Sequence, residues 1–285
     1  MKKQKTILNS VTFSGIGLHS GVEVNIILYP ALENTGIIFR RIDIDTGENR
    51  DVSALYNNVF ETQLGTVITN ENKVSVSTIE HLMSALWACD IDNILIEIDN
   101  KEVPIMDGSA KPFIMEIQKA GVQELEADRK FLKILCEVSV EDKDTKITIK
   151  PSKDYSINME VDFPYGNIGK QVFKFSGKQE DFIKEVSKAR TFCNEKEIEM
   201  MRKMGLARGG SLNNAMVFNE KGVLNEGGFR YDCEVARHKL LDCVGDMFTA
   251  GYFIQGKIKA LKTGHGLNNK LLRKIFSSKE NYEIV

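Results

Sequence analysis

Histidine and tryptophan are scarce in this 285-residue chain, which has four histidines, His19, His81, His238 and His265, and one tryptophan, Trp87. With so few imidazoles, each one is a separate question. Cysteine is sparse as well: Cys89, Cys136, Cys193, Cys233 and Cys243 are odd in number, widely spaced and without a C-x-x-C pair. That argues against a disulfide framework and reads as free buried thiols in a reducing compartment. The basic start, MKKQKTILNSVTF, is interrupted by polar residues before an apolar leader core can form. No run approaches the roughly 18 apolar residues of a membrane helix, so no transmembrane segment and a cytoplasmic location are expected. Net charge is also lacking, at -2 with a pI near 6.2, which gives no pull toward nucleic acid. Hydrophobic residues at 42% and charged residues at 27% exclude disordered, collagen-like and coiled-coil chains.

At roughly 150 residues per domain the length points to two domains or one large one. Short alternating runs at 7–13, 22–28 and 36–41 predict strands separated by turn residues. Gly15-Ile-Gly17-Leu-His19-Ser20-Gly21 resembles a dinucleotide-binding loop, but its third glycine is one place late and a strand follows it. A hairpin with Leu18 and His19 at its tip fits better. A strand at 74–77, a helix to 88, a strand at 93–98, a glycine loop and a helix at 113–120 come next. The polar stretch 121–129 then suggests a boundary, giving domains 1–125 and 126–285. The second half repeats the plan, with strands at 131–140, 146–150, 155–161 and 170–175 and a helix at 179–189. After it come a helix at 237–249, a strand at 257–261, a loop KTGHGLNN and a helix at 270–276. His81 lies 27 residues before Gly108, and His238 lies 26 before Gly264. A duplicated α+β unit accounts for this order. An extra stretch, about 191–225, has no counterpart in the first half; its Met-rich composition suits core filling or the lining of a long apolar ligand.

His238 and Asp242 are four apart in a segment of helical periodicity, so both reach one point on a helix face. A surface ion pair satisfies the same spacing. Ser77-Thr78-Ile79-Glu80 reads as a capping box, yet Glu80 is followed at once by His81, a base beside a ligand. A hydrolytic zinc takes three protein ligands, an open position for water and a nearby carboxylate. His81, His238 and Asp242 supply such ligands for one catalytic Zn2+, and Glu80 such a base. His265, between two glycines, is placed on a tight loop where Asp246 could orient it to protonate a leaving amine. From Arg237 onward nine Lys and Arg face four Asp and Glu. A diphosphate ligand would suit Lys239 and Lys262.

Seven motifs in order carry a resemblance to a known family: SGIGLHSG (14–21), STIEHLMSAL (77–86), PIMDGSAKPF (104–113), ARTF (189–192), GGSLNNA (209–215), RHKLLDCVGD (237–246) and TGHGLNN (263–269). Across nearly the whole chain the sequence resembles the zinc-dependent UDP-3-O-acyl-N-acetylglucosamine deacetylases of lipid A biosynthesis in Gram-negative bacteria. The resemblance implies an α+β fold of two similar domains, each a β-sheet layered with helices and carrying an insert. The helices would face each other across the active site. It implies zinc on His81, His238 and Asp242, with Glu80 as base, Thr191 and the metal holding the oxyanion, and His265 oriented by Asp246. Phe192 and Lys239 match positions that contact sugar and phosphates. Leu18, Ile198, Leu212, Ala215 and Val217 are candidates for a passage that takes the acyl chain, and His19 matches a position able to bind a second, inhibitory metal. At Gly65 several relatives carry cysteine, so metal affinity would differ here. The implied partners are a UDP-linked acylated glucosamine and water, and a monomer is expected. Another N-acyl sugar as substrate keeps the same metal residues. A non-catalytic nucleotide-sugar binding protein would predict loss of Glu80 or a ligand, and both are present.

Overall fold

Alternation of apolar and polar residues buries Val24, Ile26 and Leu28 on one face of the strand Glu23–Pro30, and the same two-residue period recurs at Ile94, Ile96 and Ile98. The computed structural model describes residues 2–45, 49–164 and 168–285. Its first five-stranded sheet runs in the order Val11–Ile16, Glu23–Pro30, Ile94–Ile98, Ile37–Arg41, Asp51–Ser53. The late strand Ile94–Ile98 lies antiparallel to Glu23–Pro30 and parallel to Ile37–Arg41. A second sheet, Val138–Asp142, Thr145–Lys150, Lys257–Leu261, Ser156–Phe163, Gly169–Phe175, repeats that order and every pairing direction. The duplicated α+β unit is therefore present in the topology.

A strand inserted parallel to an earlier one needs a crossover, and a helix supplies it in each unit. These are α1 (Glu80–Ala88) in the first unit and α5 (Glu234–Phe248) in the second; α2 (Lys111–Ala120) and α6 (His265–Phe276) follow the inserted strands. The sequence EHLMSALWA is buried along its whole length, because α1 packs against α5 and is also in contact with α2 and with the helix Gln179–Glu185. Gly245 makes their approach possible: a Cβ there would lie 2.0 Å from the Glu80 carbonyl oxygen. Backbone contact at that point draws the start of α1 against the last turn of α5.

Aromatic packing closes the seam between the units. Trp87, on α1, stands within 6 Å of the rings of Tyr155, Phe175 and Phe182 in the second unit. Arg129 is buried with its guanidinium 4.1 Å from the Phe253 ring centroid, paired to Asp90 and, at 2.6 Å, to Asp92. On the far side Tyr56 stacks on Phe276 at 4.3 Å.

Several expectations need correction. The polar segment after Gly121 is the strand Val122–Asp128, antiparallel to Lys3–Ile7, and it runs straight through the expected 125/126 division. No residue of Val122–Asp128 is fully buried, so that strand carries no apolar alternation to read. Its counterpart is Tyr282–Ile284, which pairs with Phe131–Ile134; we propose that the units meet at Arg129–Lys130. The run 7–13 is two strands, Lys3–Ile7 and Val11–Ile16, and the run 131–140 likewise splits into Phe131–Ile134 and Val138–Asp142. Helix α3 (Gln179–Glu185) stops before Ala189. The stretch 191–225 has a positional counterpart in the first unit, a three-stranded sheet of Val59–Glu61, Val67–Thr69 and Ser75–Val76, too short to leave a pattern. In the second unit that place is taken by Phe192–Asn194, Met216–Asn219 and Gly222–Val223 with α4 (Glu195–Lys203). The five thiols are free, but Cys136 is exposed and only Cys89 and Cys243 are fully buried. Among the described residues no helix is long and apolar enough to cross a membrane.

Candidate metal centre and active site

The two residues four apart on α5 do share a face: His238 Nε2 lies 3.3 Å from Asp242 Oδ1. The crossing at Gly245 brings His81 of α1 to the same point, with Nε2 3.6 Å from that oxygen and its ring edge-on to His238. All three residues are buried, and one donor atom from each lies within 4.8 Å of the others. His238 Nδ1 donates to the Ala189 carbonyl at 3.1 Å, which leaves the Nε2 lone pair free. Burial pushes this imidazole down to about 4, so it is neutral, the ligand form. Asp242 Oδ2 accepts from Lys239 Nζ at 2.8 Å, whereas Asp242 Oδ1 and His81 Nδ1 are buried without a hydrogen-bond partner. A buried carboxylate oxygen without a donor is costly, and a cation between it and two imidazoles removes that cost. Although burial opposes it, the Lys239 ammonium beside Oδ2 holds Asp242 well below the usual carboxylate range.

Glu80 sits at the edge of this group as the first residue of α1. The capping box is not formed. Ser77 Oγ donates to the Lys101 carbonyl, and the cap position is Ile79. Glu80 instead points into the cleft, where its Oε2 accepts from the Thr66 backbone N–H at 2.9 Å and its Oε1 lies 3.9 Å from His265 Nε2. Burial raises its pKa above the ordinary glutamate value, with the nearby imidazoles opposing.

His265 is not on a loop: it is the first residue of α6, and Gly264 before it has extended backbone. The flanking glycines hid the helix start. Its Nδ1 donates to Asp246 Oδ2 at 2.9 Å. Burial disfavours the imidazolium, but Asp246 and Glu80 outweigh it and lift His265 to about 9. The Asp246 carboxylate is fixed by two residues that the sequence reading missed. Thr66 Oγ1 donates to Oδ1 at 2.5 Å, and Asn268 Nδ2 donates to Oδ2 at 2.8 Å. Asn268 lies inside TGHGLNN, a legible signal; Thr66 has no local signature.

Thr191 and Phe192 open into a cavity of about 340 Å³. All five residues expected along a passage, Leu18, Ile198, Leu212, Ala215 and Val217, line it, and Leu64, Met201 and Leu224 were not anticipated. Thr191 is held from the other unit by its N–H to the Gly108 carbonyl at 2.8 Å. Gly108 has φ +83°, and a Cβ there would lie 2.2 Å from the Asn214 carbonyl oxygen. The hairpin tip forms one wall, since the Leu18 carbonyl accepts from the Gly209 N–H at 3.0 Å. His19 stands outside the three-donor group, its Nε2 3.2 Å from the Leu64 carbonyl and its Nδ1 facing the Ala207 N–H. A Cβ on Gly65 would lie 3.1 Å from Glu80 Oε1, so any larger residue there presses on that carboxylate. The two expected phosphate cations already have carboxylate partners: Lys239 is buried on Asp242, and Lys262 lies between Asp144 and Asp162 at 3.2 and 3.3 Å.

A family model described as UDP-3-O-acyl N-acetylglycosamine deacetylase matches residues 4–277. Curated relatives named UDP-3-O-acyl-N-acetylglucosamine deacetylase, from Pasteurella multocida strain Pm70 and Haemophilus influenzae strain 86-028NP, are each 44% identical over 287 residues. Each alignment covers 100% of this chain and 93% of the relative.

Proposed function

The chain belongs to the UDP-3-O-acyl N-acetylglycosamine deacetylase family, and from that membership we propose that it hydrolyses the N-acetyl group of a UDP-linked 3-O-acylated N-acetylglucosamine, a step of lipid A biosynthesis. The observation that carries the reading is the convergence of three buried donors, a carboxylate and a carboxylate-held imidazole across one seam. His81, His238 and Asp242 would hold Zn2+, a borderline-soft ion suited to two imidazoles and one carboxylate. When bound, it supplies Lewis acidity to the attacking water and to the acetamide carbonyl.

The chain's own side chains do the rest. Glu80, kept basic and aimed by the Thr66 N–H, takes the proton of the attacking water as the new C–O bond forms. Thr191, at the mouth of the cavity, is suited to donate to the developing oxyanion. His265, charged on Asp246, gives its proton to the sugar nitrogen as the C–N bond breaks, so acetate and a free amine leave. The apolar cavity takes the 3-O-acyl chain, and Phe192, which lines it 5.9 Å from the His238 ring, packs beside the sugar. Lys239 and Lys262 would meet phosphate only by leaving or sharing Asp242, Asp144 and Asp162.

The test is acetate release from the UDP-sugar by protein stripped with a chelator and then reloaded with zinc. Activity is expected to vanish and return. Indifference to chelation, or unchanged turnover in the Glu80→Ala, His265→Ala double variant, overturns the reading.

A further inference from the structure

Glu80 and His265 come from different units, and Thr66 meets the first through its backbone and the second's aspartate through its side chain. Thr66, immediately before the strand Val67–Thr69, is buried, 2% exposed. Its backbone N–H donates to Glu80 Oε2 at 2.9 Å; its hydroxyl donates to Asp246 Oδ1 at 2.5 Å and lies 3.4 Å from His265 Nδ1. We propose that Thr66 is a positioning residue that sets the proton-accepting and proton-donating groups in register across the seam.

The geometry assigns each contact a task. Asp246 Oδ2 is shared by His265 Nδ1 and Asn268 Nδ2, so the plane of this carboxylate decides where the imidazole points. The Thr66 hydroxyl occupies the other oxygen and fixes that plane. With the hydroxyl removed, Oδ1 has no remaining donor among the described residues, and the carboxylate is free to rotate and take His265 with it. Because Thr66 belongs to the first unit and Asp246 to the second, opening of the seam breaks the hydroxyl contact while leaving the N–H on Glu80. The proton acceptor is thus held within its own unit, and the donor is aligned only when the units are closed.

This proposal rests on the roles given to Glu80, Asp246 and His265 above, and its test separates the two. Thr66→Val keeps shape and backbone N–H but loses the hydroxyl; Thr66→Ser restores it. In the zinc-loaded enzyme Thr66→Val is expected to lower kcat by about 10-fold or more, the range for removal of a supporting partner, with KM and metal content unchanged and kcat recovered in Thr66→Ser. Combined with His265→Ala, Thr66→Val should add no further loss, since the group it positions is gone. A crystal structure of Thr66→Val is the second readout, with the His265 Nδ1 to Asp246 Oδ2 contact expected to lengthen beyond 2.9 Å. Undiminished kcat in Thr66→Val, a full additional loss in the His265→Ala background, or an unmoved Asp246 overturns the proposal. If His265→Ala alone keeps wild-type turnover, the parent assignment fails instead, and this one with it.

Discussion

Asp242 divides its two oxygens between a lysine and a pair of imidazoles, and the division decides what each neighbour can do. With Lys239 on Oδ2, the carboxylate stays ionised in a fully buried place, and Oδ1 faces His81 and His238. Four residues further along the same helix, Asp246 spends its charge on His265 instead. Two aspartates on one face of α5 therefore serve opposite ends: one keeps a neutral imidazole company, the other sustains a charged one. A pH dependence follows. As the proposed base Glu80 must be ionised, and burial has raised its pKa, so kcat/KM should climb as pH rises through that value. As the proposed acid His265 must be protonated; its pKa of about 9 in the metal-free protein is lowered by a nearby dication, so the activity of the zinc-loaded enzyme should fall on an alkaline limb lying below 9. Steady-state rates of wild type and His265→Ala across pH check this: the alkaline limb should disappear in the variant. If the limb persists unchanged, another group donates the proton.

At the scale of elements, the crossing of α1 and α5 is the feature that assembles the centre. Gly245→Ala forces a methyl group onto the Glu80 backbone, which cannot yield as a flexible side chain would. Separation of the helices should cost about 1–3 kcal/mol and lower metal affinity, read together by thermal denaturation and by metal content after dialysis. A variant that melts lower yet binds metal as tightly would show that the centre does not depend on this contact. The elements also show where sequence reading succeeds. His238 and Asp242 were legible because helical spacing alone makes them neighbours, and Glu80-His81 because adjacent residues at a helix start need no tertiary knowledge. The cavity residues were found through motif resemblance rather than through any apolar period. Thr66 was invisible because its partner Asp246 lies 180 positions away. The strand Val122–Asp128 was missed since none of its own residues is buried, and the start of α6 since glycines on both sides of His265 mimic a loop.

For the whole molecule, duplication has an asymmetric outcome. Both units share one strand order, yet the first contributes Glu80, His81 and Thr66, while the second contributes His238, Asp242, Asp246 and His265. Neither unit holds all of these residues, so on the proposed reading activity requires an intact seam. Trp87→Ala removes the largest side chain bridging that seam, and a loss of about 3–5 kcal/mol is expected. Urea denaturation followed by circular dichroism should also show the single transition broadening or dividing as the units uncouple. A sharp transition at the wild-type midpoint would mean that Arg129 with Asp90 and Asp92, and Tyr56 on Phe276, hold the units without it.

The position of Trp87 has an optical consequence. The chain has one indole, only 5% exposed, and it lies in the layer that joins the two units. Its fluorescence is therefore a native, label-free gauge of that layer, blue-shifted while dry and reddening as soon as water enters between the units.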